Sequence, residues 1–102
     1  MSFNGTEGGP ITSTVATAMT KRYRKDCPGQ VKAHFYGRET IQALLDQDNC
    51  MGIRIYYGIK EDGSKELVLV GATADENDML NLIMDISISC PTCCSTPNFL
   101  NS

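Results

Sequence analysis

Residues 53–70, IRIYYGIKEDGSKELVLV, carry the clearest structural signal in the sequence. The first eight residues alternate in the way that a β-strand requires, with Ile53, Ile55, Tyr57 and Ile59 on one face and Arg54, Tyr56, Gly58 and Lys60 on the other. The Asp62-Gly63 pair permits the positive φ of a tight turn. Residues 67–70, which follow Glu66, are then apolar at consecutive positions, which is typical of a central strand covered on both faces. The stretch predicts a β-hairpin at the centre of a sheet.

Upstream of the hairpin, the pattern predicts two helices with a short strand between them. A helix is expected from about Thr12 to Lys25, with Thr12 or Ser13 at its N-cap and basic residues in its last turns. Residues 31–36 alternate as a strand does. Residues 38–48 return to helical spacing, with apolar side chains on one side.

Downstream of the hairpin, residues 79–89 fit both patterns. Met79, Leu82 and Ile83 match a helical face, whereas Met84 and the alternate residues after it match a strand. We expect a helix that turns into an extended segment. The predicted order is α-β-α-β-β followed by a final α or β element. This order gives an α+β fold, a small α/β sandwich in which two or three helices pack on a hairpin-centred sheet.

The length of 102 residues suits one domain with one core. Residues 1–10 contain three glycines and a proline and predict a flexible or extended arm. We expect the single α/β domain over residues 11–89 and a cysteine-rich tail over residues 90–102.

Composition and charge argue against several classes of function. The net charge of −3 does not favour nucleic acid as a partner, because duplex binding depends on a basic face. No apolar run approaches the roughly 18 residues of a membrane span. The first residues, MSFNGTEGGP, lack the basic and apolar regions of a secretory signal. We therefore expect a cytoplasmic protein that contacts neither nucleic acid nor membrane.

The cysteines offer the sharpest local motif, Cys90-Pro91-Thr92-Cys93-Cys94. A Cys-x-x-Cys spacing allows two thiolates to bind one zinc ion or to close a reversible disulfide. Cys90, Cys93, Cys94 and His34, the only histidine, form the candidate metal set, but the sequence lacks the second close pair of a strong zinc signature. Thiols that pack or stay free in a tail are an equally good interpretation. No cofactor is expected, with zinc as the alternative.

The hairpin also offers a candidate interface. Tyr56 and Tyr57 lie on opposite faces of the predicted strand, so one of them is expected to be exposed near Arg54. Tyrosine and arginine are enriched in protein interfaces. The sequence thus predicts an interaction surface at Arg54, Tyr56 and Tyr57.

The block CMGIRIYYGIKEDGSKELVLVGATADENDM, preceded by GRETIQALLDQ and followed by the CPTCC cluster, resembles a family of short uncharacterised proteins from bacteria of the Bacteroidetes type. The resemblance covers roughly two-thirds of the chain. It implies a bacterial protein and carries no activity and no functional residue.

No polar residues are set at the spacing that catalysis requires, so an enzyme is not expected. The sequence favours a non-enzymatic, structural protein-binding module. Its partner is expected to be a second copy of the chain, in a homo-oligomer or filament, or another protein. The alternative is a thiol-based metal-binding or redox protein that uses the C-terminal cysteines.

Overall fold

The structure, a computed structural model, describes residues 2–101. The described chain contains two α-helices and five β-strands, in the order α1 (Ser13–Asp26), β1 (Ala33–Phe35), α2 (Arg38–Leu45), β2 (Cys50–Ile59), β3 (Lys65–Thr73), β4 (Asp78–Met84) and β5 (Ile88–Cys90). All strand pairs are antiparallel. This composition confirms the predicted α+β class. Within residues 2–101, no helix has the length and apolar content needed to cross a membrane.

The chain divides into two compact units, which are described separately. The first contains residues 2–8 and 36–87, and the second contains residues 9–35 and 88–101. These bounds differ from those of the three segments expected from the sequence.

The first unit is built on a three-stranded sheet with the order β2-β3-β4. The predicted hairpin is present, and its turn is closed by Asp62, whose Oδ1 accepts from the backbone N–H and the hydroxyl of Ser64 at 2.9 and 2.7 Å. Gly63 has φ of +89°, the conformation that made glycine the expected residue there. The consecutive apolar residues of β3 lie in the central strand, where Leu69 and Val70 are buried.

Helix α2 packs against β2 and β3 and supplies Leu44, which is fully buried. The helix was expected to reach Asp48 but ends at Leu45, and Asp46 is its C-cap. The side chain of Gln42 donates to Asp46 Oδ1 at 2.7 Å across this last turn.

The expectation of a helix after Met79 is wrong. Residues 78–84 form β4, which pairs with β3 from Leu69 to Ala72. A central strand needs a hydrogen-bonded neighbour on each edge, and β4 supplies the second one. This long-range pairing overrides the helical spacing of the apolar residues, as tertiary context commonly does. Ile86 then adopts a positive φ of 59°, and β5 follows.

In the second unit, α1 starts where the sequence predicted. Thr12 is the N-cap, and its hydroxyl accepts from Val15 N at 3.2 Å. Strands β1 and β5 form a separate two-stranded sheet. Two basic side chains hold the end of the tail: Arg24 Nη1 donates to Leu100 O at 2.5 Å, and Lys32 Nζ donates to Asn101 O at 2.9 Å.

Candidate functional site

Strand β2 lies at the edge of the three-stranded sheet. Its pairing with β3 is regular from Gly52 to Ile59, and the one irregularity falls between Cys50 and Gly52. In the part of the chain that the structure describes, no strand pairs with its outer edge. Such an edge presents a row of backbone groups ready to pair with another strand.

The hydrogen bond from Lys60 N to Ser64 O, 2.8 Å long, shows which residues of β2 face outward. Because antiparallel strands alternate between bonded and non-bonded pairs, the even-numbered residues of β2 bond to β3. The odd-numbered residues therefore point their N–H and C=O groups away from the sheet. These outward-facing residues are Ile53, Ile55, Tyr57 and Ile59.

The side chains of three of these residues form an exposed apolar row. Ile55 is 53% exposed, Tyr57 is 94% exposed and Ile59 is 75% exposed, all on the same face of β2. We call this row the β2 stripe. Contiguous exposed apolar residues commonly mark an interaction site. Here they lie beside an unpaired backbone edge, so a partner could contact the side chains and the main chain of β2 at the same place.

The β2 stripe lies on a strand that is much longer than α2, the helix that packs against β2 and β3. Eight helical residues span about 12 Å, whereas the ten residues of β2 span about 33 Å. Close packing occurs at Gly71, where an added Cβ would lie 2.8 Å from the Nε2 atom of Gln47, two residues after α2, and 2.9 Å from Cys50 Sγ, at the start of β2. Gly71 pairs with Ile53, so the close packing lies at the far end of β2 from Ile59.

The opposite face of β2 carries a polar cluster that ties it to β4. Arg54 Nη1 lies 2.5 Å from Asp78 Oδ1 and 3.0 Å from Glu76 O. The hydroxyl of Tyr56 donates to Asp78 Oδ2. That hydrogen bond and the Arg54 guanidinium lower the pKa of Asp78. The same hydrogen bond raises the pKa of Tyr56 and outweighs the opposite effect of the Arg54 guanidinium. The Phe3 ring lies 5.3 Å from the Arg54 guanidinium. The cluster holds Arg54 within its own sheet.

The predicted interface residues are therefore divided between two faces. Arg54 and Tyr56 lie together in the polar cluster, and Tyr57 lies in the β2 stripe. Sequence reasoning missed Ile55 and Ile59 as surface residues, although their alternation with Arg54 and Tyr56 already placed them on the face of Tyr57. Whether any of these residues forms an interface stays a prediction.

A cavity of about 310 Å³ lies where the N-terminal arm meets β2 and β3. It is lined by Phe3, Gly5 and Glu7 of the arm, by residues 51–54 and by Ala72. The Glu7 carboxylate accepts from the backbone N–H groups of Asn4 and Gly5 at 2.9 and 3.0 Å, which lowers its pKa. Arg54 bonds to Asp78, so both charged groups of the cavity serve the protein's own structure.

The cysteine motif is arranged differently from the expectation. Cys90 forms a disulfide with Cys94, across a Cα–Cα distance of 4.9 Å, and Cys93 is an exposed free thiol. The Cys-x-x-Cys pair is therefore not the one that is bonded. His34 pairs with Ser89 and Ala33 pairs with Cys90, so His34 and Cys90 point to opposite faces of the β1–β5 sheet.

Among residues 2–101, no three His, Cys, Asp or Glu side chains come together in a way that would hold a metal ion. The set Cys90, Cys93, Cys94 and His34 is not assembled, since two of its thiols are joined to each other. Zinc binding stays a prediction for the reduced chain.

A thiol count tests this arrangement. We expect three free thiols in the denatured, unreduced protein and five after reduction, because only Cys90 and Cys94 are joined. In the native protein, Cys93 should react first, since Cys27 and Cys50 are less exposed. Titration with a thiol reagent and mass mapping of the modified peptides gives both results. Five free thiols without reduction would contradict the disulfide.

The family resemblance suggested by the hairpin and the cysteine cluster stays a prediction. The chain matches no protein-family model, and no curated protein or solved structure is significantly similar to it.

Proposed function

We propose that the protein is a non-enzymatic interaction module that uses the outer edge of β2 to accept an extended strand from a partner. The observation that carries the proposal is the coincidence of the β2 stripe with a regular, unpaired strand edge. Strand addition of this kind draws affinity from main-chain hydrogen bonds and specificity from alternate side chains. The partner is a second copy of the chain or another protein. Neither nucleic acid nor membrane is part of the proposal.

Strand β2 lacks the features that usually prevent an edge strand from pairing with another strand, and this supports the proposal. Natural edge strands are usually short, bulged, or interrupted by proline or lysine, which prevents unwanted pairing. Residues 53–59, IRIYYGI, contain no proline and no lysine, and their one charge, Arg54, is paired with Asp78. An edge left open in this way is suited to a partner.

The other edge of the same sheet is protected. Val70 pairs with Ile83 but the next residue, Gly71, pairs with Met79, so β4 carries extra residues between these two points. A bulge of this kind bends and twists the strand and disfavours further pairing. Leu80 is 67% exposed on β4, which makes it a control for apolar exposure without a regular edge.

Charge substitutions on the two edges test the proposal. Tyr57→Lys should weaken association roughly tenfold or more, because a buried ammonium replaces a central aromatic contact. Leu80→Lys, the matched control on β4, should associate as the unmodified protein does. Sedimentation velocity over a range of concentrations measures both. Association that survives Tyr57→Lys unchanged, or an unmodified protein that stays monomeric at every concentration, would reject self-association through β2.

A second candidate function is thiol chemistry, with zinc binding in the reduced state as its metal form. It is supported by the exposed Cys93 thiol next to the Cys90–Cys94 disulfide. A Cys90→Ser, Cys94→Ser variant should lose thiol–disulfide exchange while keeping β2-dependent association. The disulfide weighs against a cytoplasmic location, because reducing compartments rarely preserve disulfides. Cytoplasmic location and bacterial origin stay proposals.

A further inference from the structure

We infer that the strand which pairs with β2 is β2 of a second copy, antiparallel and related by a two-fold axis at Tyr56. In this register Ile53 lies opposite Ile59 of the second copy, and Ile55 lies opposite Tyr57. The inference rests on the proposed function and adds the partner, the symmetry and the register. It is argued from the direction of the backbone groups, the positions of the charges and the bulge in β2.

The backbone limits the registers that are possible. Only the odd-numbered residues of β2 face outward, so an odd-numbered residue must lie opposite an odd-numbered one. The two-fold axis therefore passes through a residue position and not between two residues. With the axis at Ile55, Tyr56 or Tyr57, most of residues 53–59 pair with residues of the second copy. With the axis at Arg54 or Gly58, fewer of residues 53–59 lie opposite a residue of the same range in the second copy.

Charge disfavours the axis at Tyr57. In that register Arg54 lies opposite Lys60 of the second copy, at a non-hydrogen-bonded position where Cα atoms approach to about 4.5 Å. Like charges directly opposite each other destabilise a strand pair. With the axis at Tyr56, Arg54 lies opposite Gly58 instead, and Lys60 lies opposite Gly52. No like charges then face each other along the paired residues.

The bulge disfavours the axis at Ile55. That register places Ile59 opposite Met51, which falls in the irregular stretch between Cys50 and Gly52. The ladder would lose its outer pair at both ends. The axis at Tyr56 uses all the outward-facing residues, from Ile53 to Ile59. It also brings Ile59 of the second copy beside Ile53, which lines the cavity below the N-terminal arm.

The symmetry predicts a closed dimer and not a filament. Both copies use the same edge, so a two-fold pairing leaves neither β2 edge free. The β4 edges remain at the two ends of the resulting six-stranded sheet, and their bulges disfavour further addition. Between the two possibilities of homo-oligomer and filament, the geometry points to the dimer.

Isotope-filtered NMR on a mixed sample of labelled and unlabelled protein tests the register without any substitution. Opposite Hα atoms are close at non-hydrogen-bonded positions of an antiparallel pair. The inferred register predicts an intermolecular contact between Arg54 Hα and Gly58 Hα. A contact from Arg54 Hα to Tyr56 Hα would place the axis at Ile55, and one to Lys60 Hα would place it at Tyr57. Either result overturns the register while leaving the β2 edge as the binding surface.

Cysteine cross-linking gives an independent measurement. With the axis at Tyr56, the two copies of residue 56 face each other with Cβ atoms about 4.5–5.5 Å apart, so mild oxidation of Tyr56→Cys should link the dimer through position 56. Tyr57→Cys is the control, because the two copies of residue 57 lie on a diagonal about 7–8 Å apart. Peptide mapping separates these links from those of the natural cysteines. A link at position 57 and none at 56 would overturn the register. An unmodified protein that stays monomeric at every concentration would overturn the dimer and leave another protein as the remaining partner for the β2 edge.

Discussion

Replacing Leu44 by alanine is expected to lower the free energy of unfolding by about 2–5 kcal/mol. Leu44 has 0% exposure and is the contact through which α2 is anchored on the sheet. The described core is small, with Leu69, Val70 and Ala72 as its other buried apolar members in this unit. A cavity at this position removes a large part of the apolar contact that holds helix to sheet. Because domain stabilities are about 5–15 kcal/mol in total, the loss should be easy to measure.

The neighbouring residue provides the matched control. Leu45→Ala makes the same chemical change on the same helix, but Leu45 is 41% exposed. Its expected cost is below about 1 kcal/mol, since little contact is lost. Denaturant titrations with fitted midpoints and slopes give both values, and an unchanged slope shows that the loss lies in stability. Equal losses for the two variants would mean that Leu44 is not the anchor of α2.

The elements that the sequence predicted correctly are those fixed by neighbouring residues. The hairpin follows from strict alternation and from a turn that needs Gly63 at positive φ. The start of α1 follows from the Thr12 cap. In each case the residues that cause the structure lie within a few positions of one another, so a local pattern is sufficient.

The errors concern segments for which the sequence allows more than one pattern or partner. Residues 79–89 have helical spacing, yet β4 forms because β3 requires a second hydrogen-bonded neighbour. The disulfide joins Cys90 to Cys94, although the familiar spacing singled out Cys93. In both cases several partners were chemically possible, and the three-dimensional structure selected one that spacing alone does not distinguish.

The sequence predicted only part of the candidate site, because it named Tyr57 but not Ile55 or Ile59. Alternation showed which residues share a face of β2, but exposure depends on what covers that face. Helix α2 packs against β2 and β3, yet Ile55, Tyr57 and Ile59 remain exposed. The sequence predicted an interface from the tyrosine and arginine side chains, whereas two of the three residues of the β2 stripe are isoleucines. The ion pair between Arg54 and Asp78 could not be predicted from the neighbours of Arg54 in the sequence.

The proposed dimer and the internal polar contacts of the sheet serve different purposes. The cluster of Arg54, Tyr56 and Asp78 fixes β2 to β4 on one face. The pairing of β2 with β3 keeps a regular register from Gly52 to Ile59. A regular strand is what a partner strand needs in order to pair over several residues. Association and fold stability should therefore respond to different substitutions: Tyr57→Lys should weaken the former, and Leu44→Ala the latter.

Glu66 should make the stability of the protein depend on pH in the acid range. It is buried in β3, where burial alone raises the pKa of a carboxyl group, but hydrogen bonds from the Ser87 hydroxyl and Leu67 N outweigh that effect. Lys60 Nζ, 3.6 Å from Glu66 Oε2, acts in the same direction. The pKa falls from 4.5 to about 2.

Because the pKa is lower in the folded state, the carboxylate stabilises the fold above about pH 4.5 and loses this contribution as the pH falls towards 2. The shift corresponds to about 3 kcal/mol.

Glu66→Gln removes the charge at every pH, so the variant should be less stable than the unmodified protein at pH 7 and nearly equal to it at pH 2. Glu61→Gln, at an exposed position in the hairpin turn, is the matched control and should follow the unmodified protein throughout. Urea titrations at intervals between pH 2 and 7 measure the difference directly, and the carboxylates that do not interact with Glu66 cancel because all three proteins share them. A constant difference between Glu66→Gln and the unmodified protein across this range would show that the Glu66 side chain contributes through its shape and hydrogen bonds and not through its charge.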